Sequence, residues 1–190
     1  GNDQIAAVGD EDEETTEARR WIEQLKAPNR SGGGSSSAGA ASPVSTRDDS
    51  HHQACVALVT LFVHSPAKKS CLITEHAIIA LMEILEQGME GGSDGNISQL
   101  KAQVAAMILI NQVSRADPNF QEKLCLVGVL PLIVQLGKSA GKPSCKLAGE
   151  SDSGVEKRRI AGAEQLLAEV VRFVAEICRP DSSGLALQMF

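Results

Sequence analysis

The sequence predicts an all-α fold in which helices stack into a solenoid. Hydrophobic residues make up 43% of the 190 residues, whereas aromatic residues make up 3% and tyrosine is absent. A core of Leu, Ile, Val and Ala suits packed helices better than a β-sandwich, in which aromatic and β-branched residues are enriched. Apolar residues also recur at three- and four-residue spacing in several segments, which is the pattern of helices with one buried face.

The stretch from Ser98 to Leu136 contains one complete helical unit. Its apolar spacing predicts a helix over Ser98 to Ser114 that turns one face to the core. Asp117 is expected to cap a second, short helix, and Pro118 fits the first turn of that helix because its missing N–H costs nothing there. Gly128 then ends the short helix, and the sequence VLPLIVQL begins a third.

The same unit recurs about 50 residues earlier in the chain, which is the signature of a repeat protein. Pro66 corresponds to Pro118, and a predicted helix from Ala77 to Glu86 corresponds to the helix that begins at Val129. We therefore predict about two and a half repeats over residues 52–190, truncated at the C-terminus within the third.

Other segments of this region complete the predicted repeats. Helices are expected over His52 to His64, Ala67 to Thr74 and Val155 to Arg179. The predicted apolar face of the last of these helices carries Ile160, Ala163, Leu167, Val170, Val171, Val174 and Ile177. Two polar, glycine-containing loops, 88–97 and 138–154, are expected to lie between helices, where a solenoid accepts insertions.

Two N-terminal segments are predicted to be disordered. Residues 1–14 form an acidic tail, and residues 27–51 form a Ser/Gly-rich flexible linker. Neither contains enough apolar surface to offset the entropy of ordering.

A short helix is predicted between them, over residues 15–26. Thr15 or Thr16 is expected as its N-cap and Trp21 as its anchor on the core. This helix is predicted to cover the open end of the solenoid, because a terminal repeat otherwise exposes its core.

Composition argues against several classes of function. A net charge of −6 argues against nucleic acid as the main ligand, because phosphate binding needs clustered Lys and Arg. The five cysteines form no C-x-x-C pair and one is left over, which indicates neither a zinc ribbon nor a disulfide framework. The sequence shows no membrane-spanning apolar run and no signal-peptide pattern, so we expect a cytoplasmic protein.

No constellation of nucleophile, base or metal ligands indicates an enzyme. The sequence GKSAGK at Gly137 to Lys142 has the wrong spacing for a Walker loop and is followed by Pro143 instead of Ser or Thr. The Gly-rich loop, His-Arg-Asp and Asp-Phe-Gly elements of a protein kinase do not occur. We expect a non-catalytic chain without a cofactor.

Asn111 is the strongest candidate for a protein-binding residue. It lies in an otherwise apolar helix, where a buried amide is costly unless it is hydrogen-bonded. On a solenoid surface such an Asn can pair with the backbone of an extended partner peptide; the alternative is that its own stack satisfies it. Thr60 and Glu176 are its predicted equivalents in the neighbouring units. A basic triplet is either a solvated helix face or part of a protein-binding surface: Lys157, Arg158 and Arg159.

The residues from Gly128 to Leu136, with ILINQVS before them, resemble the armadillo repeat. In that repeat the second helix opens with Gly-x-Ile-Pro and the third carries a Leu-x-Asn element. Armadillo proteins of the nuclear-import and catenin type hold extended peptides with this Asn and with Trp residues. Asn111 matches the Asn, whereas the Trp positions hold Val56, Met107 and Arg172.

Three blocks of sequence show a closer resemblance. CLITEHAIIALMEIL at 71–85, NFQEKLCLVGVLPLIV at 119–134 and SSGLALQMF at 182–190 resemble the C-terminal armadillo region of plant mitogen-activated-protein-kinase-kinase-kinase epsilon and fungal septation-initiation kinases. Their order and approximate spacing agree across 54–190.

This resemblance implies a parent Ser/Thr kinase of the STE class that acts in cytokinesis or cell-division signalling. The kinase domain, with its ATP and magnesium, would lie outside this sequence. The present chain would then bind protein partners on the solenoid surface, or the kinase domain of its own chain. The alternative is an armadillo or HEAT adaptor or scaffold whose parent chain has no kinase domain.

Overall fold

A computed structural model of the protein describes residues 12–27, 47–90, 97–115, 117–141 and 153–179. Within these ranges every regular element is helical, which confirms the all-α prediction. Most of the predicted acidic tail and linker, and the block at 182–190, lie outside the described residues.

The helices occur in the predicted order. They are α1 (Glu13–Lys26), α2 (Arg47–His64), a 3-10 helix (Pro66–Ser70), α3 (Cys71–Thr74), α4 (Ala77–Glu90), α5 (Ile97–Ser114), α6 (Pro118–Val127), α7 (Val129–Ala140) and α8 (Ser153–Ile177). Helix α2 begins inside the segment that the sequence predicts as linker. A tertiary contact supports this early start, because the Gln24 side chain of α1 donates to the Ser50 hydroxyl at 2.7 Å.

Helix α1 differs from the prediction at its N-cap and at its anchor. The cap is Asp12, whose carboxylate accepts from the Thr15 amide at 2.9 Å and from the Thr15 hydroxyl at 2.7 Å. The prediction of Thr15 or Thr16 as cap is therefore wrong, and Thr15 is instead a donor to the cap. Ile22 is fully buried whereas Trp21 is half-buried, so Ile22 is the main apolar anchor.

The boundary between α6 and α7 follows the sequence prediction. Asp117 caps α6 by accepting from the Phe120 amide at 3.0 Å, and Pro118 lies in the first turn. Gly128 ends α6 with a φ of 89°, in the left-handed region that favours glycine. No single helix among the described residues is both long and apolar enough to cross a membrane. Helices α6 and α7 reach that length and apolar character only when taken together, and they are bent by 78° at the break between them.

The helices pack in two layers. Helices α1, α4 and α7 lie side by side in the first layer, and α2, α5 and α8 lie side by side in the second. Each first-layer helix also packs on the second-layer helix that follows it in the chain. Helix α5 therefore has α2 on one side, α8 on the other and α4 beneath it. It is buried around most of its circumference, which corrects the prediction of a single core-facing side.

The same burial pattern recurs in each layer. The second-layer helices bury residues at i, i+3, i+4, i+7 and i+11: His51, Ala54, Cys55, Leu58 and Phe62; Ala102, Ala105, Ala106, Leu109 and Val113; Leu166, Glu169, Val170, Phe173 and Ile177. The first-layer helices share buried residues at i, i+4 and i+7: Ala18, Ile22 and Leu25; Ala77, Leu81 and Ile84; Val129, Ile133 and Leu136. The described residues thus contain three equivalent helix pairs, of which α1 and α2 are the first.

This pattern corrects the predicted face of α8. Ile160 and Val171, which were expected on the core side, are 48% and 59% exposed. Phe173, which was not part of the predicted face, is fully buried. Helix α8 carries apolar residues on two sides, and periodicity alone does not say which side meets the neighbouring helices.

Candidate functional site

The one solvent-facing strip of α5 forms the floor of a groove. Two adjoining cavities of about 380 Å³ and 370 Å³ lie along this strip and share Ile108 in their walls. We call the pair the outer groove. Its apolar half is walled by α2, α5 and α8, and its polar half by α5 and α8.

The apolar half lies over the N-terminal part of α5. Leu100 and Ile108 are half-buried there, and Val56 of α2 is 47% exposed beside them. Gly162 of α8 completes the wall, and a Cβ at its position would lie 2.6 Å from Leu100 Cδ2. Glycine therefore allows α8 to approach α5 closely at this point.

The polar half is built around a buried carboxylate. Glu169 is 6% exposed, at the core position that Ala54 and Ala105 occupy in the other two units. The Asn111 side chain donates to Glu169 Oε2 at 2.7 Å and to the Glu169 carbonyl oxygen at 3.0 Å. Arg172 donates to both carboxylate oxygens, at 2.6 Å and 2.7 Å.

These contacts give Glu169 a positioning role. A buried charge is costly unless it is paired and hydrogen-bonded, and here both oxygens have partners. In return, charge-assisted hydrogen bonds hold the Asn111 amide and the Arg172 guanidinium at fixed places along the groove. Sequence reasoning missed Glu169, although an acidic residue three and four positions from the buried Leu166 and Phe173 was an available signal.

The structure places the predicted binding residues in different settings. Asn111 lines the groove and is hydrogen-bonded within its own stack, as the second interpretation expects, and its pairing with a partner peptide stays a prediction. Thr60 is exposed on α2, and its hydroxyl donates to the Val56 carbonyl oxygen at 3.0 Å. Glu176 lines the polar half, but the burial pattern aligns Asn111 with Thr60 and Ala175, one residue before Glu176.

The side chains of the basic triplet do not form one cluster. Lys157 and Arg158 are exposed, whereas Arg159 is half-buried. Only Arg158 lines the outer groove, at its apolar half. Successive residues of an α-helix point about 100° apart, so the three side chains diverge.

The described residues present no metal cluster, and burial keeps two of their cysteine thiols protonated. No group of three or more His, Cys, Asp or Glu side chains among them is placed to hold a metal ion. Burial raises the pKa of the Cys55 thiol to about 12 and also raises the pKa of Cys125. Both thiols therefore stay protonated near neutral pH, in which state a cysteine is a poor nucleophile.

Comparison with known proteins finds protein kinases. The chain is 27% identical over 146 residues to MAP3K epsilon protein kinase 1 of Brassica napus, covering 77% of this chain and 9% of the kinase. MAP3K epsilon protein kinases 1 and 2 of Arabidopsis thaliana are also 27% identical, over 143 and 150 residues, covering 75% and 77% of this chain and 8% and 9% of the kinases. No protein-family model and no solved structure matches. The chain thus spans less than a tenth of the length of these relatives, and it is related to one segment of MAP3K-family proteins.

Proposed function

We propose that this chain is a non-catalytic protein-interaction segment of a larger Ser/Thr kinase of the MAP3K class, folded as an armadillo-like solenoid. The similarity to a short part of three MAP3K epsilon kinases supports the first half of the proposal. The order of elements supports the second half. A short helix, a first-layer helix and a long second-layer helix follow one another as α3, α4 and α5, and again as α6, α7 and α8.

The observation that carries the interaction function is the outer groove. Its floor is a helix enclosed on its other sides, so the side chains that it presents sit on a rigid element, as a docking site requires. The groove offers apolar surface, a fixed amide and fixed guanidinium groups, but no nucleophile activated by a base. Such a surface suits recognition of a partner and not transformation of a substrate.

In this proposal the groove restrains or localises the kinase in the cytoplasm during cell division. The partner is either another protein of the division machinery or the kinase domain of the same chain. The resemblance of the three sequence blocks to septation-initiation kinases supports this context.

Site-specific photo-crosslinking tests the interaction function. A photoreactive residue replaces Ile108 in the groove and, as a matched control, Glu83, which is exposed on the first-layer helix α4. In cells that express the parent protein, we expect the Ile108 probe to label one recurrent protein or the kinase domain, and Arg172→Glu to abolish that labelling. Equal labelling from both positions, or none from the groove, would overturn the proposal.

A second candidate is an adaptor without a kinase domain. The similarity to the kinases covers only 8–9% of their length and therefore supports this candidate as well. The complete reading frame distinguishes the two candidates. A Gly-rich loop and a His-Arg-Asp element upstream support the kinase, whereas a complete frame without them supports the adaptor.

A further inference from the structure

We propose that the partner of the outer groove is an acidic amphipathic peptide segment. Its apolar side chains would fill the apolar half, and its carboxylate or phosphate groups would face the arginines of the polar half. This inference rests on the proposed function and adds the chemistry of the partner.

The charge of the groove is opposite to the charge of the protein. The chain carries a net charge of −6, yet the groove is lined by more cations than carboxylates. The cations are Lys101, Arg115, Arg158, Arg172 and Arg179, and the carboxylates are Glu169 and Glu176. A local positive field on an acidic protein attracts anionic partners and disfavours basic ones.

The two carboxylates neutralise only part of this field at the groove surface. Glu176 forms an ion pair with Arg179 at 3.2 Å, and Glu169 is buried beneath Asn111 and Arg172, which use both of its oxygens. The Arg172 side chain is itself 65% exposed, and a guanidinium has five N–H donors, so it retains donors for a second anion. Among the described residues, no carboxylate forms an ion pair with Arg115.

The apolar half supplies the other part of the recognition. Leu100, Ile108 and Val56 keep accessible apolar surface next to one another, and burying that surface favours binding whatever the charge of the ligand. The halves meet at Ile108. Lys101 and Arg158 line the apolar half as well, so acidic groups of the ligand are favoured on both sides of its apolar anchors.

The length of the floor sets the length of the ligand. The groove follows α5 from Ile97 to Arg115, which at 1.5 Å per residue is about 27 Å. An extended chain covers that distance with about eight residues. We therefore expect a linear segment with one or two apolar anchors flanked by two or three acidic groups.

Selection from a random peptide library tests this inference without assuming a sequence. The 190-residue chain is the target, and Arg115→Glu combined with Arg172→Glu is the groove variant. Lys123→Glu combined with Lys138→Glu is the matched control, because both lysines are exposed outside the groove and the charge change is the same. Circular dichroism shows whether the groove variant is folded, and the single variant Arg115→Glu gives a second test of binding that leaves the contacts of Glu169 intact.

We expect groove-dependent peptides that are enriched in Asp and Glu around apolar anchors. Their affinity for the groove variant should fall by about tenfold or more, their affinity for the control should stay within about twofold, and added salt should weaken them. Exchanging Asp or Glu for phosphoserine in the selected peptides then identifies which anion the arginines prefer.

Neutral or basic groove-dependent peptides would overturn the inference, as would a selection without any groove-dependent peptide. If the Ile108 probe still crosslinks a partner whose contact segment is not acidic, the acidic-ligand inference fails and the proposed interaction function stands. If neither experiment gives a signal from the groove, both fail.

Discussion

Helices α5 and α8 lie side by side in the second layer and bury the same five relative positions, but α8 has a charged residue at one of them. Where α5 has Ala105, α8 has Glu169. Alanine at this position in α2 and α5 is an ordinary small core residue. A carboxylate in the same place is not needed by the fold, because the other two units do without it.

This difference separates the positions that pack the helix pairs from one that, in the proposed function, serves recognition. The repeated apolar positions hold the helix pairs together through burial of apolar surface. Glu169 departs from that repeat and instead holds Asn111 and Arg172 along the outer groove. Sites that depart from the local rules of a fold are often functional sites.

The largest effect on stability is expected from a substitution in the shared core. Phe173 is fully buried, and Phe173→Ala should lower the free energy of unfolding by about 3–5 kcal/mol through lost burial and a cavity. Val171→Ala, in the same helix but 59% exposed, should change it by about 0.5 kcal/mol or less. Urea unfolding measures both, and equal effects would mean that α8 does not pack in the stack as described.

A double-mutant cycle measures the interaction between Asn111 of α5 and Glu169 of α8. Asn111→Ala should destabilise the protein by about 1–3 kcal/mol, because it removes a hydrogen bond from a buried carboxylate. In a Glu169→Ala background the same change should be close to neutral, which gives a coupling energy of about 0.5–3 kcal/mol. Additive effects in urea unfolding would show that the two side chains do not interact.

A smaller effect on stability is expected from substitutions of Asp117, which joins two units at their helix ends. Lys69 lies 2.6 Å from Asp117, the cap of α6, and this hydrogen bond lowers the pKa of Asp117. Asp117→Ala should cost about 1 kcal/mol, whereas Asp117→Asn retains the capping oxygen and should cost less. Because the folded pKa is lowered, the ionic contribution is present above the ordinary carboxylate pKa near 3.8 and is lost as the pH falls below it.

Thermal unfolding of wild type and Asp117→Asn between neutral pH and about pH 3 checks this sign. The difference between the two proteins should shrink on acidification. A difference that stays constant or grows would contradict the ion pair.

Replacing Glu169 with the alanine of the other units should have the smallest effect on stability. Glu169→Ala removes the buried charge, and the partner that it leaves, Arg172, is 65% exposed and stays solvated, so no buried charge is left unpaired. We expect a change within about 1 kcal/mol in urea unfolding. Nuclear magnetic resonance (NMR) should at the same time show the Asn111 side-chain amide losing its restricted environment. A large loss of stability would make Glu169 a structural residue and not a positioning one.

The sequence could predict the elements that depend on local rules. The order of the helices, the cap at Asp117 and the break at Gly128 follow from spacing and from turn chemistry, and the structure has each of them. The predicted N-cap of α1 is wrong because Asp12 and Thr15 are both good capping residues. The choice between them depends on Lys68, which bonds to Asp12 from a distant part of the chain.

Other features depend on contacts between distant helices. The early start of α2 follows from its contact with Gln24, and the orientation of α8 depends on which of its two apolar sides meets α5. The site was predicted in part: Asn111 was singled out because it interrupts an apolar helix. Its partner Glu169 was not, because an acidic residue in a long helix is usually exposed.

The most direct test of this arrangement is a nuclear Overhauser spectrum of the methyl-labelled protein. Helix α5 lies between α2 and α8 with the outer groove open above it, and Leu100 lies against Gly162. We expect cross-peaks between the Leu100 methyl protons and the Gly162 α-protons. A spectrum in which the Leu100 methyls show no contact with any proton of α8 would contradict it.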